Sequence, residues 1–310
     1  MRIIILGGTG FIGSALTRLL AAQGHEVVVP SRRPAKVAAQ LGSGGPAGRI
    51  IGAPFDGSTG TGWAEFITPD TSIVNLAGEN IAAGRWTPEV KQRIEASRLS
   101  AGAAVMDAIA QAKAPPAMLV QASAVGYYGA RGVEAVDESA GPGDNFLSRV
   151  AMGWEASTLG AEALGVRRVV IRTSMVLGPG GALEKMLPIF RLGLGGPLGG
   201  GKQMLPFIHL DDEVGAIAFL IQTPGLSGPF NLSAPESVDS RGFARALGRA
   251  LHRPAFLPAP AFALKLLLGQ MAEEVLLSGV NAIPARLLAA GYRFRYPSLL
   301  QALEASVAAA

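Results

Sequence analysis

The chain has 310 residues, of which 49% are hydrophobic and 16% charged; its net charge is +4 and it holds no cysteine. That composition excludes a disordered tail, a disulfide scaffold, a thiolate nucleophile and any cysteine-ligated metal. No stretch carries more than two consecutive Lys or Arg residues, so the positive charge reads as a solvated surface with no nucleic-acid partner.

In chain order, "RIIILG" (2–7), "EVVVPS" (26–31), "SIVNLAG" (72–78), "AMLVQASA" (117–124) and "RRVVIRTS" (167–174) are short, nearly continuous apolar runs. Such runs are strands covered on both faces, as in a parallel sheet. Helical patterns separate them at 11–23, 87–112 and 144–164. The alternation predicts an α/β protein with a doubly wound parallel sheet and right-handed crossovers. Segment 178–206 is rich in Gly and Pro, and "FIHLDDEVGAIAFLIQ" (207–222) reads as a short strand, an Asp cap and a helix. "GPFNLS" (228–233) is a further sheet strand, and helices and loops follow to the end. The division expected is a dinucleotide-binding domain of 1–177 with 207–233, and a smaller lid domain of 178–206 with 234–310.

Two apolar stretches resemble targeting or membrane segments at first sight, and neither qualifies. The opening "MRIIILGGTGFIG" has too short an apolar run for a signal-peptide core. "FALKLLLGQMAEEVLL" is interrupted by Lys265, Gln270, Glu273 and Glu274, so it cannot supply the roughly twenty apolar residues of a membrane span. The expectation is a cytoplasmic protein with no membrane partner.

The chemistry begins at the first strand. It runs into Gly7-Gly8-Thr9-Gly10-Phe11-Ile12-Gly13, with a helix and a second strand behind it. Gly7 suits the tight turn, Gly10 lets backbone approach a pyrophosphate, and Gly13 lets helix and strand pack closely. A second strand that ends in Asp or Glu favours NAD; this one ends in Ser31, Arg32 and Arg33. An arginine fork there suits a 2′-phosphate by charge-assisted, bidentate hydrogen bonding, so NADP is the expected cofactor. Asn75, Ala77 and Gly78 end the 72–78 strand, where adenosine and its ribose would lie, and Glu79 and Asn80 enter the mouth of the cleft. Ser123 stands at the carboxyl end of its strand, facing the cofactor on fold grounds. No His/Asp/Glu cluster has metal-ligand spacing, and no metal is expected. Asp137 and Glu138 read as a solvated loop, and His209 as a buried histidine holding the Asp211/Asp212 turn.

The glycine loop, "NLAGENI" (75–81), "SAVGYYG" (123–129) and "RTSMVLGPGGALEKMLP" (172–188) resemble the extended short-chain dehydrogenase/reductase superfamily, and more closely its atypical "epimerase family" branch. "GLGGPLGGGKQMLPFIHLDD" (193–212) and "ARLLAAGYRFRYPSLLQAL" (285–303) carry that resemblance to nearly the whole chain, the second being similar to a small C-terminal domain of unknown function. The resemblance implies a Rossmann fold with a C-terminal lid. It implies a substrate-orienting hydroxyl at Ser123, and at Gly178 and Pro179 the turn that passes the nicotinamide. Met204 and Phe207 depart from it, standing where bulkier aromatics are commoner. It also implies that a Tyr-x-x-x-Lys pair is missing, since counting back from Arg172 puts Val150 and Trp154 at those positions.

The ordinary carbinol–ketone mechanism then lacks its base. Tyr127 or Tyr128 in the following loop is a candidate replacement, while Glu155 and Arg149 read as a helix-surface ion pair. Trp154 is expected to lie against the nicotinamide end of the cleft or wall it off. The functional expectation is an NADP-dependent oxidoreductase acting on a small apolar carbonyl or alcohol. The alternatives are a non-catalytic NADP(H) sensor or scaffold and, third, a nucleotide-sugar epimerase. A homodimer through the helices at 87–112 and 144–164 is a further expectation.

Overall fold

A computed structural model describes residues 1–42, 48–82 and 84–309. Its strands are β1 (Arg2–Leu6), β2 (Glu26–Ser31), β3 (Arg49–Pro54), β4 (Ser72–Asn75), β5 (Met118–Ala124), β6 (Ala135–Val136), β7 (Arg167–Thr173), β8 (Met175–Leu177), β9 (Phe207–His209), β10 (Gly228–Leu232) and β11 (Asn281–Ala282). The helices are α1 (Phe11–Ala22), α2 (Val37–Leu41), α3 (Pro88–Gln111), α4 (Phe146–Ala156), α5 (Gly160–Ala163), α6 (Gly181–Arg191), α7 (Leu210–Gln222), α8 (Ser240–Leu251), α9 (Ala261–Leu268), α10 (Ala285–Ala289) and α11 (Leu299–Ala308).

Seven strands form one sheet in the order β3-β2-β1-β4-β5-β7-β10, and every pairing in it is parallel. The order turns back on itself between β1 and β4, which opens a crevice at the carboxyl ends of those strands. Ile3, Ile4, Ile5 and Leu6 of β1 are all fully buried, because helices cover both faces. On one face Leu16 and Leu20 of α1 pack with Ile217, Leu220 and Ile221 of α7. On the other, Ala104, Val105 and Ala108 of α3 pack with Trp63. A further apolar cluster joins Leu177, Leu183, Leu187 and Phe190 to Phe207, Phe243, Leu247, Leu299 and Leu303.

Three sequence expectations are corrected. β3 is an additional strand: "RIIGAP" holds a glycine and a proline, and only two of its six residues are buried, so its hydrophobic signal is weak. The helix expected over 144–164 is two helices, α4 and α5, with Ser157–Leu159 between them. The cap of α7 is His209, whose Nδ1 accepts from the Asp211 amide at 3.1 Å, and not an aspartate. Asp212, at 1% exposure, instead accepts from the Arg295 amide at 2.7 Å and the Tyr296 amide at 2.8 Å. That carboxylate ties the C-terminal segment to the start of α7.

Candidate functional site

The glycine loop is built as its spacing predicts. Gly7 adopts φ +79°, and a Cβ there would lie 3.0 Å from Leu76 backbone atoms. A Cβ on Gly13 would lie 2.1 Å from the Gly7 carbonyl oxygen, so strand and helix touch backbone to backbone. A Cβ on Gly10 would meet nothing within 4 Å except that same oxygen, at 3.2 Å. Gly10 is the cap of α1, with no side-chain hydrogen bond to the helix and no acid in its first turn. The helix therefore presents free amides and its positive end to the crevice, a cradle for an anion. Thr9 is exposed beside Gly10; Ile12 is half-buried, as is Phe11, and Phe11 packs where Cβ atoms of Gly178, Gly180 and Gly181 would fall, 3.0–3.3 Å away.

At the end of β2 a groove of about 350 Å³ is lined by Ser31, Arg32, Pro34, Pro54, Phe55, Asp56 and Thr61. Arg32 and Arg33 are both exposed, and the Ser31 hydroxyl accepts from the Arg33 amide at 3.1 Å. Asp56, unremarked in the sequence, is the acid in this groove. Its carboxylate accepts from the Ser58 and Thr59 amides at 2.7 and 2.8 Å and from both hydroxyls. Those hydrogen bonds, the Ser58 amide's foremost, hold its pKa down to about 2. The open α1 terminus and the Arg32 groove fit a phosphorylated dinucleotide.

At the end of β4, Asn75 is fully buried. Its amide donates to Gln121 Oε1 at 3.0 Å and its oxygen accepts from the Ala77 amide at 3.3 Å. The side chain thus sets the path of the Leu76–Gly78 backbone and does not itself enter the crevice. Ala77 is half-buried and Gly78 exposed.

The largest departure from expectation lies at the ends of β5 and β7. Glu155 does not pair with Arg149, which donates to the Asp144 carbonyl at 2.8 Å. Glu155 instead accepts from the Ser123 hydroxyl at 2.6 Å and, through both its oxygens, from Arg172 Nε at 2.9 Å and Nη2 at 3.0 Å. Arg172 also donates to the Tyr128 hydroxyl at 3.0 Å, and that hydroxyl donates to Asn231 Oδ1 at 2.7 Å. One continuous polar chain therefore runs Ser123–Glu155–Arg172–Tyr128–Asn231, from β5 across β7 to β10. Burial acts to lower the pKa of Arg172, but its bonds to Glu155 outweigh that and hold it above the ordinary arginine value.

Both tyrosines are fixed by the same arginine. Tyr128 is fully buried and packs with Val280 and Ala282 of the C-terminal segment; burial raises its pKa. Tyr127 is half-buried, with the Arg172 guanidinium carbon 3.5 Å from its ring centroid. The "VGYYG" segment is a single helical turn (Val125–Tyr128) packed on α4. Glu138 is likewise no solvated group: at 5% exposure it accepts from the Asn231 amide at 3.0 Å and the Arg286 amide at 3.3 Å. Asp137 is half-buried, its carboxylate accepting from the Ser139 amide and hydroxyl.

The two vacated positions have separate fates. Val150 joins Trp86, Ile94 and Phe146 in an apolar cluster capped by Met271 of the C-terminal segment. In the same region Glu274 accepts from the Phe146 and Leu147 amides at 3.3 and 2.9 Å, a favourable anion at the amino end of α4. Trp154 is 8% exposed and packs in the cluster that holds Val120 and Ala122 of β5. Its Nε1 has no hydrogen-bond partner among the described residues, and the Arg98 guanidinium lies over its ring, Cζ 4.7 Å from the centroid. His209 is buried against Tyr296 at 4.1 Å between centroids, and burial lowers its pKa while Asp211 and Asp212 oppose the shift. Among the described residues no group of three or more His, Asp or Glu could hold a metal ion, and no helix is long and apolar enough to cross a membrane.

Two parts of the chain match separate family models. Residues 3–232 match the NAD dependent epimerase/dehydratase family, and 259–306 match a domain of unknown function, DUF1731. The epimerase family protein SDR39U1 of Bos taurus is 41% identical over 313 residues, 99% of this chain and all of that protein. The epimerase family protein Mb2239 of Mycobacterium bovis is 39% identical over 302 residues, 97% of this chain and 96% of that one. Among solved structures, human SDR39U1 (isoform 2) with NADPH superposes with a TM-score of 0.85 at 36% identity, covering 99% of each chain. The chain belongs to the NAD dependent epimerase/dehydratase family, in the epimerase-family group that carries a C-terminal DUF1731 domain.

Proposed function

We propose that the protein is an NADP(H)-dependent oxidoreductase acting on a small, apolar alcohol or its carbonyl partner, with its proton chemistry relocated from the vacated helix positions to Ser123 and Glu155. The observation that carries this reading is the 2.6 Å bond from the Ser123 hydroxyl to Glu155, itself gripped by Arg172. NADPH in the human relative and the Arg32 groove support the cofactor. Gly7, Thr9, Gly10, Phe11, Ile12 and Gly13 would hold its pyrophosphate region, Ser31, Arg32 and Arg33 its 2′-phosphate, and Ala77 and Gly78 its middle. The nicotinamide supplies hydride exchange when bound; every proton event falls to the chain's own residues.

A serine hydroxyl has one hydrogen and two lone pairs. Here the hydrogen points at Glu155, so Ser123 has only lone pairs left for a substrate. It accepts from an alcohol and does not donate to a ketone. In the oxidative direction the carbinol C–H pair departs as hydride, the substrate O–H bond breaks, and the proton passes to Ser123 Oγ. The serine's own proton moves on to Glu155, and a carbonyl product remains. Reduction is the reverse, beginning from a protonated Glu155. Tyr127, lying flat on Arg172, packs against the relay and takes no proton in it.

The lid, 178–206 with 234–310 in this reading, contributes Met271 to the apolar wall of Trp86, Phe146 and Val150. A dry wall favours apolar substrates over sugars. The test is turnover in both directions over matched alcohol–ketone pairs of increasing apolar size, followed by nicotinamide absorbance. Activity that rises with apolar size, and a fall in kcat with NADPH affinity retained in Glu155→Gln, are the expected results. A protein that binds NADPH tightly yet is inert on every pair is a sensor and not an enzyme.

A further inference from the structure

We propose that Arg98, a residue of α3, is a cofactor-binding group that holds the nicotinamide-mononucleotide half of the dinucleotide across the carboxyl end of β4. The inference rests on the cofactor named above and goes beyond the residues assigned to it.

Arg98 is 9% exposed, a burial that an arginine normally reaches only with a carboxylate partner. It has none among the described residues. Nη1 donates to two carbonyl oxygens, Glu79 at 3.1 Å and Ile94 at 2.9 Å. The carboxylate whose charge acts on it, that of Glu79, is taken by Arg93 Nε at 3.1 Å. Burial accordingly pulls the Arg98 pKa down to about 10, with Glu79 opposing only in part. A buried cation without a counter-charge is costly, and the fold supports it on two sides by packing alone. Its guanidinium stacks on the Trp154 ring at 4.7 Å, an arrangement open to arginine's planar group. It also lies against Gly78, where a Cβ would fall 3.2 Å from Cζ and 3.5 Å from Nε. Gly78 is exposed at the carboxyl edge of the sheet, and without a side chain it leaves that edge of the guanidinium uncovered.

The location defines the ligand. A dinucleotide whose phosphates sit on the amino end of α1 and whose adenosine lies in the Arg32 groove has its other half directed along the sheet edge, past β4 toward Ser123 on β5. Arg98 stands between those points, and neither Nε nor Nη2 has an acceptor among the described residues. Two donors on one fork match a phosphate or a ribose diol. The missing counter-charge of Arg98 is, in this assignment, the cofactor itself. The same assignment accounts for Trp154: its ring supports the guanidinium, with Cζ 4.7 Å from the centroid.

Titration calorimetry with two probes tests this, NADP+ and 2′,5′-ADP, which keeps the adenosine and 2′-phosphate but lacks the nicotinamide half. Arg98→Met should weaken NADP+ at least tenfold and change 2′,5′-ADP less than twofold, and Arg98→Lys should recover most of the NADP+ loss. Arg98→Gln gives the same readout if the Met variant does not fold. Equal weakening of both probes would make Arg98 a prop for the Glu79 loop and overturn the assignment, as would NADP+ binding that Arg98→Met leaves unchanged. A wild type that binds neither probe would remove the cofactor reading, and this inference with it.

Discussion

At the adenosine end of the crevice the protein leaves its polar groups open: the α1 amides have no cap, and Arg32 and Arg33 project from the surface. At the other end, across β5 and β7, five polar groups hold one another in a chain. Ser123 is held by Glu155, Glu155 by Arg172, Arg172 by Tyr128 and Tyr128 by Asn231. In the function proposed above, the difference is what binding and proton transfer each require. A phosphate supplies its own partners on arrival, so its site costs little stability while empty. A proton path must be pre-arranged, and its charges must be neutralised before any substrate enters.

Substitutions at the closed end should therefore cost folding stability, and those at the open end affinity. The largest effect belongs to Glu155→Ala. It strands a buried Arg172 guanidinium, a loss of about 3–5 kcal/mol, read as a lowered midpoint in urea unfolding. Arg149→Ala, a change in the same helix, should alter stability by less than about 0.5 kcal/mol. Similar midpoints for the two variants would erase the contrast.

Glu213 extends the closed end to the opposite face of the sheet. It is fully buried, accepts from the Thr173 hydroxyl at 2.7 Å, and leaves Oε2 without a partner among the described residues. Burial pushes its pKa from the ordinary 4.5 to about 8. A carboxyl that binds its proton more tightly when folded favours the folded state fully below about pH 4.5. That contribution declines as pH climbs toward 8 and is gone above it. A tenfold difference in proton affinity is worth about 1.36 kcal/mol, so the loss is on the order of a few kcal/mol. Glu213→Gln should flatten the decline, so its Tm advantage over wild type grows from pH 5 to pH 9. An advantage independent of pH would show that Glu213 is not the titrating group.

At the open end Arg32→Ala should leave the melting curve in place and weaken NADPH by about 1.5–3 kcal/mol, the worth of a hydrogen bond to a charged group. NADH affinity should not move. Equal affinity of the wild type for the two cofactors would refute the 2′-phosphate assignment.

The open end is also the legible one. Its signals are local: a glycine spacing inside one strand–turn–helix unit, and two arginines where an acid would otherwise end β2. The apolar strands β1, β2, β4, β5 and β7 are equally plain because burial on both faces writes an unbroken run. The closed end joins residues 123, 128, 155, 172 and 231, and no local spacing connects them. Glu155 looks like half of a surface pair because Arg149 is near it in sequence, whereas the true partner lies on β7. Glu138 misleads for the same reason, its partners being the amides of Asn231 and Arg286. One signal is there to be read: Arg172 directly follows the apolar run Val169–Ile171 of a strand that must be buried, so it requires an acid somewhere. Arg98 escapes a reading of the sequence because the role proposed for it depends on the counter-charge it lacks among the described residues, which no spacing in the sequence reveals.

The smallest effect examines the junction where open binding meets closed chemistry. Ser123 is 3% exposed and gives its hydrogen to Glu155, so Ser123→Ala removes one neutral donor and keeps the Arg172–Glu155 pair, whose bonds run to both carboxylate oxygens. Stability should change by about 1.5 kcal/mol, the low end for a hydrogen bond to a charged group. Turnover should drop at least tenfold, about 1.4 kcal/mol of barrier, because no oxygen remains to pass a proton between substrate and Glu155. NADPH affinity should hold, since the serine is spent on the carboxylate and not on the cofactor. The fall should be concentrated in kcat and should match in the two directions, because the substitution leaves the equilibrium between alcohol and ketone untouched. Loss confined to KM would make Ser123 a substrate anchor with no part in proton transfer, and the relay would have to be sought on the other side of Arg172.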